Sequence, residues 1–250
     1  MSGHSKWSTI KRKKGALDAK RGKIFSRLAK EVTIAAKMGG GDPTANARLR
    51  TVLNACKSAN MPNDNIQRAI KKGTGELPGV SYEEIRYECY GPAGVAIIVD
   101  ILTDNKRRIV AEIRHLVTKY GGSMAENGAV TWNFDQRGRM ELEKEGVSEE
   151  EIFDRAIEAG AEDVDTEGDM YELLTDPAEL HTVVGTLEEM GLEPKEAKLV
   201  MLPKTTVEVD EKSIKSVLAL MEALDENDDV QDVFSNVELT DEAMAAAMAD

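Results

Sequence analysis

Residues 138–202 read GRMELEKEGVSEEEIFDRAIEAGAEDVDTEGDMYELLTDPAELHTVVGTLEEMGLEPKEAKLVML. Two stretches with helical periodicity alternate there with four short runs typical of strands. Their order is strand, helix, strand, strand, helix, strand, which is the split βαβ pattern of a ferredoxin-like fold. At about 65 residues this unit is long enough to close a core of its own. The six predicted segments are 138–142, 149–158, 161–165, 170–174, 177–190 and 197–202.

The sequence on either side of this unit predicts a second set of strands and helices. Residues 83–90 and 94–102 resemble two strands joined at Gly91-Pro92, and the second is apolar enough to be central in a sheet. Asn105 caps a helix that Gly121-Gly122 ends, and a strand is expected at 129–134. The end of the chain predicts a strand at 205–209, a helix at 211–224, a strand at 230–237 and a frayed helix at 243–249.

The first 75 residues predict three helices after a basic arm. The first runs from Leu17 to the glycines that begin at Gly39, with apolar residues including Ile24 on one face. Asp42 and Pro43 supply an N-cap and a first-turn proline for the second helix. The third opens at residues 60–62 and ends at Gly73.

We therefore predict an α+β fold of three domains. Residues 1–77 form a basic helical bundle with a disordered N-terminal arm. Residues 136–203 form the ferredoxin-like βαββαβ domain, inserted into a discontinuous, sandwich-like α/β domain made of residues 78–135 and 204–250. The two parts of the discontinuous domain are joined because the last β-α-β piece is too short to be stable alone.

Composition excludes several protein classes. A chain of 250 residues with 41% hydrophobic and 31% charged residues is typical of a soluble globular protein. The longest apolar run, 95–99, is far below the roughly 20 residues that a bilayer span requires. The basic start has no apolar stretch behind it, which excludes a secretory signal and predicts a cytoplasmic protein. Cys56 and Cys89 are expected to be reduced and half-buried, since their spacing fits neither a disulfide framework nor zinc.

Charge divides the chain into two parts of opposite sign. Residues 1–75 hold 17 basic and 4 acidic side chains, a net charge of +13, and the remainder holds 15 basic and 42 acidic side chains, a net charge of −27. The total of −14 argues against a polyanionic partner, but a segment of +13 is typical of a surface that binds nucleic acid. The acidic remainder is expected to point away from the nucleic acid, to contact a basic protein or to fold back on the basic segment.

Residue patterns do not favour an enzyme. The three histidines, His4, His115 and His181, lie far apart without metal-site spacing, so no metal is expected. No phosphate-binding glycine loop and no serine or cysteine nucleophile signature is present, so we expect no catalytic residues and no cofactor. Acidic pairs such as Asp163 with Asp165 or Asp228 with Asp229 are interpreted as solvated charges. A small anionic ligand turned over by an enzyme stays a remote alternative.

Three groups of residues are candidates for nucleic-acid binding. In the arm, Trp7 either stacks on a base or anchors the arm to the bundle, among cations that release counterions at phosphates. The first helix carries a basic face whose only acids are Asp18 and Glu31, with Arg21 falling near the apolar side. A third group follows the strand-to-helix turn at Thr103, where it either binds a phosphate or neutralises neighbouring acids. The candidates are Lys6, Trp7, Lys11, Arg12, Lys13 and Lys14 in the arm; Lys20, Lys23, Arg27, Lys30 and Lys37 on the first helix; Lys71 and Lys72 ending the third helix; and Lys106, Arg107 and Arg108 at the turn.

Several of these residues resemble the signature of the YebC family over most of the chain. The resemblance begins with Gly-His-Ser-Lys-Trp-x-x-Ile-Lys-x-Lys-Lys at 3–14, Asp-x-Lys-Arg at 18–21 and Gly-Gly-x-Asp-Pro at 39–43, with Gly41 in the variable slot. It continues with Asn-Met-Pro at 60–62 and Arg-Ala-Ile-Lys-Lys at 68–72. Tyr-Gly-Pro-x-Gly-Val-Ala at 90–96, Thr-Asp-Asn at 103–105 and Gly-Gly at 121–122 complete it.

The resemblance implies three domains, of which the N-terminal one is helical. It also implies a cytoplasmic, DNA-binding regulator of transcription. Other members, including mitochondrial relatives, resemble translation factors that bind RNA on the ribosome and relieve stalling at proline-rich nascent chains. No helix-turn-helix, zinc finger or basic zipper pattern supports sequence-specific readout, so backbone-dominated binding to duplex DNA or ribosomal RNA stays open. We expect a monomer, because the sequence shows no heptad seam.

Overall fold

The computed structural model describes residues 17–240, with side chains from residue 21 onward. The described chain is an α+β fold with seven α-helices and two four-stranded sheets, which confirms the predicted fold class. It divides into two compact units, one of residues 24–79 with 136–200 and one of residues 17–23, 80–135 and 201–240. The predicted boundaries of three domains stay a prediction. The arm and the predicted helix at 243–249 lie outside the described residues.

Three helices come first in the described part of the chain, as predicted. They are α1 (Leu17–Gly39), α2 (Ala47–Ser58) and α3 (Asn63–Gly73). Their apolar residues form one buried cluster that includes Val32 of α1, Leu49 of α2 and Ile66 of α3. The predicted apolar stripe of α1 is wrong at Ile24, which is 46% exposed, so only the C-terminal half of that helix is deeply buried.

The start of α2 differs from the prediction. Asn46, and not Asp42, is the N-cap: its side-chain oxygen accepts a hydrogen bond from the Leu49 N–H at 3.0 Å. The Asn46 amide also donates to the carbonyl oxygens of Ala35 and Gly40, each at 2.8 Å. Asp42 instead forms a local turn, accepting from the backbone N–H and the hydroxyl of Thr44. Asn46 is the N-cap because its buried side chain hydrogen bonds to backbone groups of both α1 and α2. A pattern of neighbouring residues does not reveal these contacts.

The first sheet belongs to the unit of residues 80–135 and 201 onward. Its strands are β1 (Glu83–Tyr90), β2 (Ala96–Thr103), β3 (Ser123–Met124) and β8 (Val230–Ser235), in the order β3-β1-β2-β8 with antiparallel neighbours. Helices α4 (Lys106–Lys119) and α7 (Glu211–Asp225) pack on one face, where Val99 of β2, Ile113 of α4 and Leu220 of α7 share a buried cluster. As predicted, β2 is central, and it is also buried at Ile98 on its other face.

The predicted strand at 129–134 is wrong. Residues 129–133 form a loop and a short 3-10 turn, Thr131–Asn133, which wraps around the carboxylate of Glu88, and only Phe134 belongs to a strand. The carboxylate accepts backbone N–H groups from Gly128 at 2.6 Å, Val130 at 2.7 Å and Thr131 at 2.9 Å. Burial alone would raise the pKa of Glu88, but these hydrogen bonds outweigh it and the pKa is lowered. The backbone donors that a strand would give to a ladder are used here by a buried anion.

Two further expectations from the sequence are wrong. The predicted strand at 205–209 is reduced to one isolated bridge between Val207 and Val237, because the chain there contacts the loop at Asn133 instead. Cys89 and Cys56, the second in the helical segment, are fully buried and not half-buried. Burial raises the pKa of Cys56 to about 11 and, together with Glu88, that of Cys89 to about 12.

The second sheet has the ferredoxin-like order that residues 138–202 predict. Its strands are β4 (Phe134–Glu143), β5 (Asp163–Asp165), β6 (Met170–Thr175) and β7 (Glu196–Pro203), in the order β5-β6-β4-β7. Strand β6 pairs antiparallel with both β4 and β5. Helices α5 (Glu149–Ala159) and α6 (Leu180–Glu189) share a buried cluster with the sheet.

The face of this sheet opposite the helices holds a buried arginine. Met140 and Leu142 point into the helix-covered core, so Arg139 and Glu141 point to the other face. Glu141 lies directly across from Glu172 in the register, a like-charged pair that is unfavourable unless a cation lies between the two carboxylates. Arg139, 1% exposed, supplies it with guanidinium–carboxylate distances of 3.2 Å to Glu141 and 3.7 Å to Glu172, and it hydrogen bonds to Glu196 at 3.0 Å.

Replacing this arginine is expected to destabilise the unit strongly. Arg139→Met leaves the facing carboxylates of Glu141 and Glu172 buried without their cation, which should lower the free energy of unfolding by about 3–5 kcal/mol. Urea unfolding followed by far-ultraviolet circular dichroism measures the loss. The matched control is Arg137→Met, whose partner Glu162 is exposed, for which we expect about 1 kcal/mol or less. Equal losses in the two variants would contradict this role for Arg139.

Candidate nucleic-acid interface

Three exposed lysines lie in the last turns of α1 and α3, which end close together. The glycine at 73 allows this close approach, because a Cβ there would lie 2.3 Å from the Thr33 carbonyl oxygen and 3.1 Å from the Lys37 backbone nitrogen. Lys37 in the last turn of α1 is thereby brought near Lys71 and Lys72 in the last turn of α3, and all three are exposed. We call Lys37, Lys71 and Lys72 the lysine cluster. It accounts for three of the predicted contact residues.

The lysine cluster also has a structural role. The last carbonyl groups of a helix carry partial negative charge, so cations in the final turn stabilise it. Two helices that end close together combine this effect. Lys37 also has an interaction of its own within the chain, but all three lysine side chains are exposed, and compact ammonium charges are suited to phosphate.

The rest of the predicted basic face of α1 is less open than the sequence indicates. Lys23, Arg27 and Lys30 are half-buried and have interactions of their own within the chain. Arg21, which the pattern puts near the apolar side, is exposed. Lys20 and the arm residues Lys6, Trp7, Lys11, Arg12, Lys13 and Lys14 have side chains outside the described residues.

One of the two acids on that face is neutralised. Glu31 accepts hydrogen bonds from Arg48 of α2 at 2.6 and 3.0 Å, and both side chains are about a quarter to a third exposed. The ion pair joins α1 to α2. It removes a negative charge that would otherwise repel a polyanion at this face.

Exposed cations that the sequence patterns missed lie on α2 and α3. Arg50 and Lys57 are exposed on α2, and Arg68 is exposed on α3. The sequence signal that could have found them is their position away from the apolar face of each helix. The buried residues are Leu49, Thr51, Val52 and Cys56 in α2 and Ile66 and Ala69 in α3.

The cations at the turn 103–108 are of two kinds, paired with acids or exposed. Asn105 caps α4, accepting from the Arg108 N–H at 3.1 Å. The guanidinium of Arg108 hydrogen bonds to Asp229 at 2.6 Å and to Asp104 at 3.0 Å, and the bond to Asp229 chiefly raises the pKa of Arg108. Arg108 therefore neutralises neighbouring acids, one of the two alternatives that the sequence left open. Lys106 and Arg107 are exposed in the first turn of α4.

Asp229 is buried, so the prediction that it is a solvated charge is wrong. It is 6% exposed, and its carboxylate also accepts the Thr103 hydroxyl at 2.8 Å. Its backbone carbonyl accepts the Leu102 N–H at 2.8 Å. Asp229 thus ties the end of β2 to the start of β8.

The helical segment contacts α6 through polar groups inside one compact unit. The Thr51 hydroxyl donates to the Ala47 carbonyl at 3.1 Å, so it accepts from Nδ1 of His181, which lies 2.8 Å away. The Asn54 amide donates to Glu188. Burial, followed by the charges of Arg48 and Arg50, lowers the pKa of His181. This histidine is a neutral contact residue; among residues 17–240 the structure shows no group of side chains arranged for a metal ion.

Comparison with known proteins identifies the family. The model of the TACO1/YebC protein N-terminal domain matches residues 5–76, and the model of the TACO1/YebC second and third domain matches residues 82–237. The chain belongs to the TACO1/YebC family. The YebC resemblance of the sequence is thereby confirmed.

Relatives similar along their full length are named probable transcriptional regulatory protein. One from Desulfotalea psychrophila is 54% identical over 98% of both chains, and one from Geobacter sulfurreducens is 53% identical over 99% of this chain and 100% of the relative. A crystal structure of a conserved hypothetical protein from Aquifex aeolicus is 45% identical, with a TM-score of 0.83 over 89% of this chain and 92% of that one. In the part of this TACO1/YebC chain that the structure describes, no helix is long and apolar enough to cross a membrane.

The contact at His181 predicts a dependence of stability on pH. Because the folded state lowers the pKa of His181, the unfolded chain binds a proton more readily, and folding loses stability as the pH falls below about 6.5. His181→Gln keeps a donor for Thr51 and removes the titration. We expect its melting temperature to fall less than that of the wild type between pH 7 and about pH 5.5. The control His115→Gln, exposed on α4, should follow the wild type, and identical profiles for all three proteins would contradict this assignment.

Proposed function

We propose that this chain is a non-enzymatic regulator of gene expression that works in the cytoplasm as a monomer and binds nucleic acid through its basic helical segment. The observation that carries the proposal is the separation of charge: +13 in residues 1–75 against −27 in the rest. Relatives named probable transcriptional regulatory protein support a nucleic acid as the partner.

Binding is directed at the phosphate backbone. The exposed cations come from several helices: the lysine cluster from α1 and α3, Arg50 and Lys57 from α2 and Arg68 from α3. Cations spread in this way neutralise phosphates and release counterions, a mode of binding that depends steeply on salt and weakly on base sequence. Lys106 and Arg107, beside the N-terminus of α4, are a second candidate contact.

The second candidate function is that of a ribosome-associated translation factor that binds ribosomal RNA and relieves stalling at proline-rich nascent chains. The observation that favours it is the acidic remainder of the chain. A charge of −27 is repelled by a long duplex, whereas a ribosome offers basic proteins next to RNA. A footprint on one DNA site, with more than about tenfold preference over random duplex, would favour transcription instead.

An enzyme acting on a small anionic ligand is the remote alternative. A panel of nucleotides and divalent metals in a thermal-shift assay tests it. A flat response across the panel is expected from a binding protein, and a reproducible rise in melting temperature with one compound would favour the enzyme.

Charge reversal of the lysine cluster tests the proposed contact. We expect Lys71→Glu with Lys72→Glu to weaken nucleic-acid binding about tenfold or more at low salt, and to reduce the slope of log K against log salt by about 2, since two phosphate contacts are lost. Fluorescence anisotropy with labelled duplex DNA and labelled structured RNA, titrated at several salt concentrations, measures both quantities.

The matched control reverses two exposed lysines of the acidic unit. Lys212→Glu with Lys215→Glu changes the net charge equally, but both residues lie on α7. If the two double variants lose the same affinity and slope, only total charge matters and the proposed surface is wrong. An unchanged affinity in the cluster variant would also remove this surface.

A further inference from the structure

Two aromatic side chains are exposed together in the unit that carries the first sheet. Trp132 is 68% exposed and Tyr90 is 39% exposed, in a chain with only 4% aromatic residues. Trp132 lies in the 3-10 turn before β4, and Tyr90 ends β1. An exposed tryptophan of this extent leaves a large apolar surface in water, which is typical of a site that binds a partner.

The polar edges of both rings are already satisfied within the chain. Trp132 Nε1 donates to the carbonyl oxygen of Ala129 at 2.9 Å, and the Tyr90 hydroxyl donates to the same oxygen at 3.1 Å. Hydrogen bonds from these atoms lie near the ring planes, so they occupy the edges of the two rings, at one shared carbonyl oxygen, and not the ring faces. A partner would therefore meet ring faces, and not hydrogen-bond donors.

Polar contacts fix the loop that contains Trp132. The Glu88 carboxylate takes three of its backbone N–H groups, and the Asn133 side-chain oxygen accepts the backbone N–H and the hydroxyl of Thr205 at 3.1 and 2.6 Å. The backbone on both sides of Trp132 is thus held by buried or half-buried polar contacts. A platform fixed before binding loses little conformational entropy when a ligand stacks on it.

A cation lies next to this loop. The Lys204 N–H donates to the Asn133 carbonyl oxygen at 2.7 Å, and Lys204 Nζ is 3.2 Å from Asp135. Both members of this ion pair are about half exposed, so the pair is screened and contributes little to stability. Because Lys204 is about half exposed, its ammonium group is also accessible to a phosphate.

We propose that Tyr90 and Trp132 form a stacking platform for an unpaired nucleobase, with Lys204 contacting a neighbouring phosphate. The inference rests on the proposed function and deepens it, because it makes single-stranded or looped nucleic acid the ligand of this unit. Base faces are apolar and planar, so they match ring faces whose edges are occupied, and the sequence preference of such stacking is weak. An apolar protein segment is the alternative occupant that the experiment below separates from a base.

The test compares a strand that has bases with one that has none. The probes are fluorescein-labelled oligouridylate and its deoxy counterpart, each of about 12 nucleotides, and an abasic phosphodiester strand of the same length. We expect the full-length wild type to bind the base-containing strands about tenfold more tightly than the abasic strand. Trp132→Ala should lose this about tenfold preference while keeping its affinity for the abasic strand, and Trp132→Phe should restore most of it.

Two controls separate this inference from the proposed function. Ile157→Ala truncates another exposed apolar side chain, 66% exposed on α5, and should leave all affinities unchanged. Lys71→Glu with Lys72→Glu should weaken binding to every strand, because it removes phosphate contacts. A wild type that binds no strand would contradict both the proposed function and the platform.

Other outcomes overturn the platform alone. If the lysine variant weakens binding but Trp132→Ala leaves the preference for bases intact, the exposed rings serve a different contact, such as a protein segment. If Trp132→Ala lowered the affinity for base-containing and abasic strands equally, that result would likewise contradict stacking. Melting temperatures of all variants are compared with the wild type, and Tyr90→Phe, which keeps its ring, provides a milder change that should retain the preference.

Discussion

Among residues 21–240, each buried carboxylate is matched with a donor, and this constraint determines much of the local structure. Residues 76–250 hold 42 acidic side chains, and a few of them are buried. An unpaired buried carboxylate is too unfavourable to persist, so each buried one has its own set of partners. Glu88 is surrounded by three backbone N–H groups, Asp229 by Thr103 and Arg108, and Glu141 and Glu172 by Arg139.

These pairings explain where prediction from sequence succeeded and where it failed. Hydrophobic periodicity is local, so it predicted all seven helices, the central strand β2 and the ferredoxin-like order of the second sheet. The partners of a buried carboxylate are distant in sequence: Glu88 lies 40 residues from Gly128, and Asp229 lies 121 residues from Arg108. No window around residues 129–134 contains Glu88, so that segment resembled a strand.

The same limit applies to the candidate interface. Composition located the positive charge in the first 75 residues, and helix ends indicated Lys71 and Lys72. The approach of α3 to α1, which brings Lys37 beside them, depends on the missing side chain at position 73 and is a tertiary contact. Arg108 shows the opposite case, because a cation at a helix start fits a phosphate equally well until the position of Asp229 is known. In the acidic part of the chain Arg86, Arg108 and Arg139 each bind carboxylates, whereas the lysine cluster is exposed at two helix ends.

Sedimentation from a gentle cell lysate at near-physiological salt tests most directly whether this chain works on nucleic acid. The tagged full-length protein is run on a density gradient after no treatment, after DNase and after RNase. The account predicts rapid sedimentation that one of the two nucleases abolishes; loss with RNase from ribosomal fractions indicates translation, and loss with DNase indicates transcription. Migration at the top of the gradient in all three samples, or rapid sedimentation that neither nuclease changes, would contradict it.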